Sequence, residues 1–317
     1  MNRIPVPVVA LFLLLSNPSV TPAQTHPTAV NAFTEGCDSY EQGDLNRAIA
    51  SFTRALEINS RPHFETYKQP RTKSHANGRS AAWHGAENVT IIDPFAAKVY
   101  SSRGVARFHK GDVDGALADF DRAVRIHPSF ADAYLNRGSA RHSKGDPRGA
   151  IADWDRAIKL NPKLEAAYCN RGGARLELGD VEGAFEDLDM AIRLNPRDAT
   201  AYCHRGYAWL RKANLALAVN DFNRALDLNS AMAQAYEGRG TAKLGRSELE
   251  SALADLNLAV ALDAKAINAY LHRGLTLLQL GRDSEAEVDF SRVLAAKPER
   301  VEELRQLIKI AKERRAR

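Results

Sequence analysis

Between residues 97 and 300, small and apolar side chains recur three and four residues apart, in short blocks set off by polar breaks. That spacing puts the apolar residues of each block on one helical face. The breaks carry the chemistry of helix ends. Gly111, Gly145 and Gly179 can enter the left-handed region that terminates a helix. Asp112, Asp146 and Asp180 follow and can accept the orphan amide bonds that open the next one. Pro147 suits a first helical turn, where no amide donor is needed. The pattern predicts antiparallel helix pairs joined by tight turns.

The pairs repeat. "AYLNRG" at 133–138 returns as "AYCNRG", "AYCHRG", "AYEGRG" and "AYLHRG", and "VYSSRG" precedes it. Tyr100, Tyr134, Tyr168, Tyr202, Tyr236 and Tyr270 therefore stand 34 residues apart. A catalytic motif is used once, whereas six copies at one period are an architecture. Counted from Ala131 as position 1, position 8 is always Gly (Gly104 to Gly274) and position 20 always Ala (Ala116 to Ala286). Position 24 is large: Phe120, Trp154, Leu188, Phe222, Leu256 and Phe290. Position 27 is Ala in five units and Val293 in the last. Position 32 is Pro in four. Gly at 8 and Ala at 20 remove bulk where the paired helices cross.

This set of slots resembles the tetratricopeptide repeat family, a 34-residue helix–turn–helix. The resemblance covers 97–300 as six units, and a seventh fits within 24–62 through Gly36, Gly43, Ala48, Phe52 and Ala55. It implies an all-α, right-handed α-solenoid of about seven repeats. In 301–317 a stripe of Val301, Leu304, Ile308 and Ala311 predicts a helix capping the apolar end, with "KERRAR" as a solvated basic tail. Segment 63–96 breaks the pattern. It reads as an irregular insertion, because Pro70 would fall inside a first helix, with a decayed repeat as the alternative.

The first 23 residues differ from the rest. Arg3, the apolar run 6–15 and "TPA" before Gln24 read as a secretory signal peptide, and the run is too short for a stable membrane anchor. The expectation is an exported chain with no stable span after cleavage, periplasmic if the source is a Gram-negative bacterium and otherwise secreted. With 26% charged residues and a net charge of +5, the composition gives no argument for nucleic acid. Cys37, Cys169 and Cys203 form neither a disulfide framework nor a zinc motif. No internal bridge is expected between Cys169 and Cys203, which sit at position 5 of adjacent units.

No phosphate-binding loop, metalloprotease motif or nucleophile elbow is present. Cys203 and His204 are neighbours on a helix, so their side chains diverge by about 100°. No cofactor or metal is expected. In the family the first helix of each unit lines a concave groove. Carried over, position 6 places Ser102, Asn136, Asn170, His204 and His272 in that groove, a polar row suited to an extended peptide backbone. A leucine row at position 12 packs between first helices. The pairing of Lys and Asn with which some family members grip carboxylate tails is missing. The resemblance thus implies a non-enzymatic adaptor or scaffold for a protein or peptide partner. A self-assembling structural solenoid and an enzyme using the groove or insertion are the alternatives. Position 7 departs from the family's apolar residue: it is Arg from Arg103 to Arg273. Position 23 is Asp from Asp119 to Asp289. The first unit has Glu35 and Ser51 there instead, so the two rows are expected to pair, between the two helices of a unit or across a unit boundary.

Overall fold

The computed structural model describes residues 26–60 and 93–316. The signal-peptide segment 1–23, and 63–92 of the expected insertion, lie outside them. Among the described residues the chain forms fifteen α-helices and no strand, and it divides into two compact units between Pro162 and Lys163. The first unit holds α1 (Pro27–Glu41), α2 (Leu45–Asn59), α3 (Pro94–Lys110), α4 (Val113–Ile126), α5 (Ala131–Ser143) and α6 (Pro147–Leu160). The second holds α7 (Glu165–Glu177), α8 (Val181–Leu194), α9 (Ala199–Arg211), α10 (Leu215–Leu228), α11 (Ala233–Gly245) and α12 (Leu249–Leu262), then α13 (Ile267–Gln279), α14 (Asp283–Ala296) and α15 (Val301–Arg315). Odd-numbered helices up to α13 are the first helices of the repeats, and each packs chiefly on the helix that follows it.

The helix ends follow from the residues that read as punctuation. Gly111, Gly145 and Gly179 have φ of 94°, 83° and 85°, and the aspartates after them cap α4, α6 and α8 by accepting from the backbone N–H groups of Gly115, Gly149 and Gly183. Pro147 opens α6 and Pro94 opens α3 at positions that need no amide donor. Where the repeat lacks this glycine the backbone geometry persists: Ala213 and Ser247 take φ of 56° and 61°.

Within each pair, position 8 meets position 24. A Cβ on Gly206 would lie 2.8 Å from the Phe222 ring, and one on Gly138 would lie 2.6 Å from the indole nitrogen of Trp154. Both rings are fully buried, worth about 1.5–3 kcal/mol each from burial alone. Gly206→Ala would force the pair apart, at about 1–3 kcal/mol of overpacking. Successive pairs share cores. In the first unit α2 packs directly on α3, with Phe33, Phe52, Val99 and Phe120 in one cluster. In the second unit α15 lies on α13, burying Leu304 and Ala311 and half-burying Leu307 and Ile308. Its basic end is not wholly solvated. Arg315 donates to the carbonyl of Leu278 at 3.1 Å and pairs with Asp283, tying the last helix to the C-terminus of α13.

Candidate functional site

The first helices place the expected position-6 row unevenly. In the first unit Ser102 and Asn136 are buried, and the Asn136 side-chain oxygen meets no hydrogen-bond partner. In the second unit Asn170 is also buried, while His204 and His272 are half-buried. Each histidine leans on the first helix before its own. The His204 ring fills the space left by Gly173, where a Cβ would come within 2.9 Å of it, and its Nδ1 lies 4.0 Å from Cys169 Sγ. His272 Nδ1 lies 2.8 Å from Thr241 Oγ1 and 3.3 Å from Glu237 Oε1. The Thr241 hydroxyl already donates to the Glu237 carbonyl. Its oxygen is therefore left to accept, which makes His272 Nδ1 the protonated nitrogen.

Glu237 is the hub of this face. Its other oxygen accepts from the Tyr207 hydroxyl at 2.6 Å, and Tyr207 also reaches the Gln234 carbonyl at 2.8 Å. Burial, with the Glu237 charge beside it, raises the Tyr207 phenol well above its ordinary range. The chain Tyr207–Glu237–His272–Thr241 thus spans α9, α11 and α13. It links position 9 of one repeat to positions 5 and 6 of the next. The sequence reading named His272 but not Tyr207, Glu237 or Thr241. The signal was there as polar residues at positions 9 and 5 of adjacent units. The position-12 residues Leu176, Leu244 and Leu278 are buried among neighbouring first helices, as the leucine row implied.

Cys203 and His204 do not form a pair, yet His204 finds the thiol one repeat back. Burial pushes Cys169 well above its ordinary thiol range, and Asp198 beside it adds to the shift. A neutral thiol in that setting is a poor nucleophile. Cys203 is raised by burial too, and both cysteines are free. Among the described residues no group of His, Cys, Asp and Glu has metal-ligand geometry.

The arginine row turns inward, not toward this face. Every position-7 Arg engages the position-23 Asp of its own repeat through two nitrogens: Arg103 with Asp119 at 3.0 and 2.7 Å, Arg137 with Asp153 at 2.9 and 2.6 Å, and Arg205 with Asp221 at 2.8 Å twice. Arg171 with Asp187, Arg239 with Asp255 and Arg273 with Asp289 repeat the fork. The third nitrogen reaches back to position 25 of the preceding repeat: Thr53 from Arg103, Asp121 from Arg137, Asp189 from Arg205, Asn223 from Arg239 and Asn257 from Arg273. Each guanidinium also lies 5.3–5.6 Å from the ring of the position-4 Tyr. A planar fork can hold one carboxylate and a second acceptor at once, which an ammonium cannot do with the same geometry. In the first repeat the polarity is reversed: Glu35 takes position 7 and accepts from Arg47 and Arg54 of α2.

Three family models match the chain. One described as TPR repeat covers 104–145 and 138–179, and two described as tetratricopeptide repeat cover 169–233 and 267–300. None of the three describes a catalytic domain. No curated protein matches the chain by sequence. Among solved structures, a chain of the APC/C hetero-tetramer Cut9-Hcn1 is 22% identical with a TM-score of 0.62, over 68% of this chain and 42% of that one. The chain thus spans less than half the length of that structure. A tetratricopeptide repeat protein from Parabacteroides merdae is 19% identical with a TM-score of 0.60, over 90% of this chain and 99% of that one. Pseudomonas aeruginosa pilF is 20% identical with a TM-score of 0.55, over 64% and 92%. At these identities the structures share the fold. With the family models and the repeated Gly, Ala and aromatic slots, they establish an all-α repeat solenoid, and the chain belongs to the tetratricopeptide repeat family.

Proposed function

We propose that this chain is an exported, non-enzymatic adaptor that holds a protein or peptide partner on the face made by its first helices. Tetratricopeptide repeats are protein-interaction scaffolds, and family membership supports that class of role. The observation that carries the reading for this chain is the Tyr207–Glu237–His272–Thr241 row. Its polar side chains are held by one another across three first helices, with Glu237 and His272 still 15% and 24% exposed at the side chain. Such a row presents fixed donors and acceptors, so a bound chain does not have to order them. Asn136 and Asn170 lie too deep to form the first contact, so the half-buried histidines and the exposed Gln234 and Asn268 make the contact surface. Export is supported by the charged start, apolar run and small-residue site of 1–23. N-terminal sequencing of the chain recovered from its source checks it, the expected first residue being Gln24.

Affinity capture from the source's own extract tests the binding reading. The parent chain is compared with a variant carrying Gln234→Lys and His272→Ala. The expected result is that a protein retained by the parent is lost by the variant, with circular dichroism and melting within a few degrees. Equal retention by both chains would move binding off this face.

A further inference from the structure

Position 26 is Arg in four of the six units, Arg122, Arg156, Arg224 and Arg292, with Met190 and Leu258 in the other two. Three of these add a second cation to the position-4 tyrosine of their repeat. Arg156 lies 6.0 Å from the Tyr134 ring, Arg224 lies 5.9 Å from Tyr202, and Arg292 lies 5.0 Å from Tyr270 and donates to its hydroxyl at 2.9 Å. The α7–α8 repeat departs from this at two slots together. Met190 stands where those four repeats have the second Arg, and at position 22, where the other repeats carry the uncharged Ala118, Ala152, Asn220, Ala254 and Val288, it has Glu186.

A depression of about 430 Å³ opens at that place, lined by Tyr168, Arg171, Glu186, Asp189, Met190 and Arg193, with Asp187 at its base. The two aspartates are engaged: Asp187 by Arg171 and Arg175, Asp189 by Arg205. Glu186 is exposed and, among the described residues, has no ion-pair partner. Arg193 turns to the Met190 sulfur at 3.7 Å. A cation at its position does not exclude a neighbour at position 26, since Lys159 and Arg156 stand at these two slots in the α5–α6 repeat.

We propose that this depression is a docking pocket for an arginine side chain of a partner protein. The incoming guanidinium takes the place of the missing position-26 Arg, lies against the Tyr168 ring and pairs with Glu186. The neighbouring repeats supply the template, because the same ring slot is filled there by the chain's own arginine. Planar cations stack on aromatic rings and fork onto carboxylates, so the match is to arginine before lysine. The flexible Met190 thioether yields to the aliphatic stem. This pocket is separate from the Glu237 face, and its success or failure leaves that reading untouched.

The test is carbon-13 methyl-methionine NMR on the full chain, titrated with acetyl-Gly-Gly-Arg-Gly-Gly-amide and with its citrulline counterpart. The Met190 methyl should shift saturably with the arginine peptide, while the Met232 methyl stays still as the internal reference. Citrulline keeps the shape and loses the charge, so its affinity should be about tenfold weaker. Glu186→Gln should weaken the arginine peptide by about threefold. Met190→Arg should restore the repeat pattern, abolish peptide uptake by calorimetry and leave melting no lower than in the parent. Equal affinity for the two peptides, no Met190 shift up to the solubility of the arginine peptide, or full uptake by Met190→Arg would each overturn the proposal.

Discussion

Asp255 and Asp289 hold the same slot in adjacent repeats and differ in the cations that pair with them. Asp289 is 1% exposed, and among the described residues the one cation that pairs with it is Arg273, through two bonds of 2.7 Å. Asp255 is 4% exposed and is shared by Arg239, at 2.8 and 2.6 Å, and Lys243, at 2.8 Å. The Tyr270 ring beside Arg273 also carries Arg292 at 5.0 Å, where the neighbouring repeat has Leu258. Arg239 and Arg273 each donate a third bond to an asparagine of the preceding repeat and each lie over a tyrosine. Replacing either Arg with Ala therefore removes the same contacts but leaves different residues behind. Arg273→Ala strands a buried carboxylate, at about 3–5 kcal/mol. In Arg239→Ala the ammonium of Lys243 remains, so the cost is that of lost charge-assisted bonds, about 1.5–3 kcal/mol. Repeat arrays need not unfold in one step. The assay is thus native-state hydrogen exchange of α12 and α14 amides across a urea series, with circular dichroism for the whole chain. The expected difference between the two variants is about 1.5–2 kcal/mol. Adding Lys243→Met to Arg239→Ala should bring its cost to the Arg273→Ala level. Equal costs for the two single variants, or no further loss from Lys243→Met, would refute the idea that the second cation holds the aspartate.

Two further outcomes follow from local geometry. Ala213 and Ser247 sit in the left-handed region that other repeats assign to glycine, so Ala213→Gly and Ser247→Gly should each stabilise the chain by about 1 kcal/mol in chemical denaturation. The buried thiols of Cys169 and Cys203 should resist iodoacetamide in the native chain at pH 8, and peptide mapping should find them unbridged. Cys37 is half-buried, its thiol raised to about 11 by burial, and should label first but slowly.

The arginine row shows how far one chain of residues could be read. An unpaired guanidinium at an apolar slot demanded an anion, and the only acid recurring with it was sixteen residues on. Both rows lie in one helical hairpin, whose turn and register are set by Gly, Asp and the glycine–aromatic contact between positions 8 and 24. Short-range geometry was enough, and the fork formed in all six repeats. The third bond that Arg103, Arg137, Arg205, Arg239 and Arg273 make to the repeat before them was not legible in this way. Its acceptor changes among Thr, Asp and Asn with no fixed charge to announce it.

The sequence by itself determined the period, the helix pairs, their caps, the small-to-large packing of each hairpin and that the Arg row pairs with the Asp row, because these depend on residues close in the chain and on helical periodicity. The tertiary structure alone decided which side chains meet between repeats. It sank Asn136 and Asn170, set His204 against Cys169, made Glu237 the centre of a network and folded Arg315 back onto Asp283. Those contacts depend on the stagger and tilt of one hairpin on the next. That offset moves a side chain from solvent to a neighbour without altering any pattern along the chain.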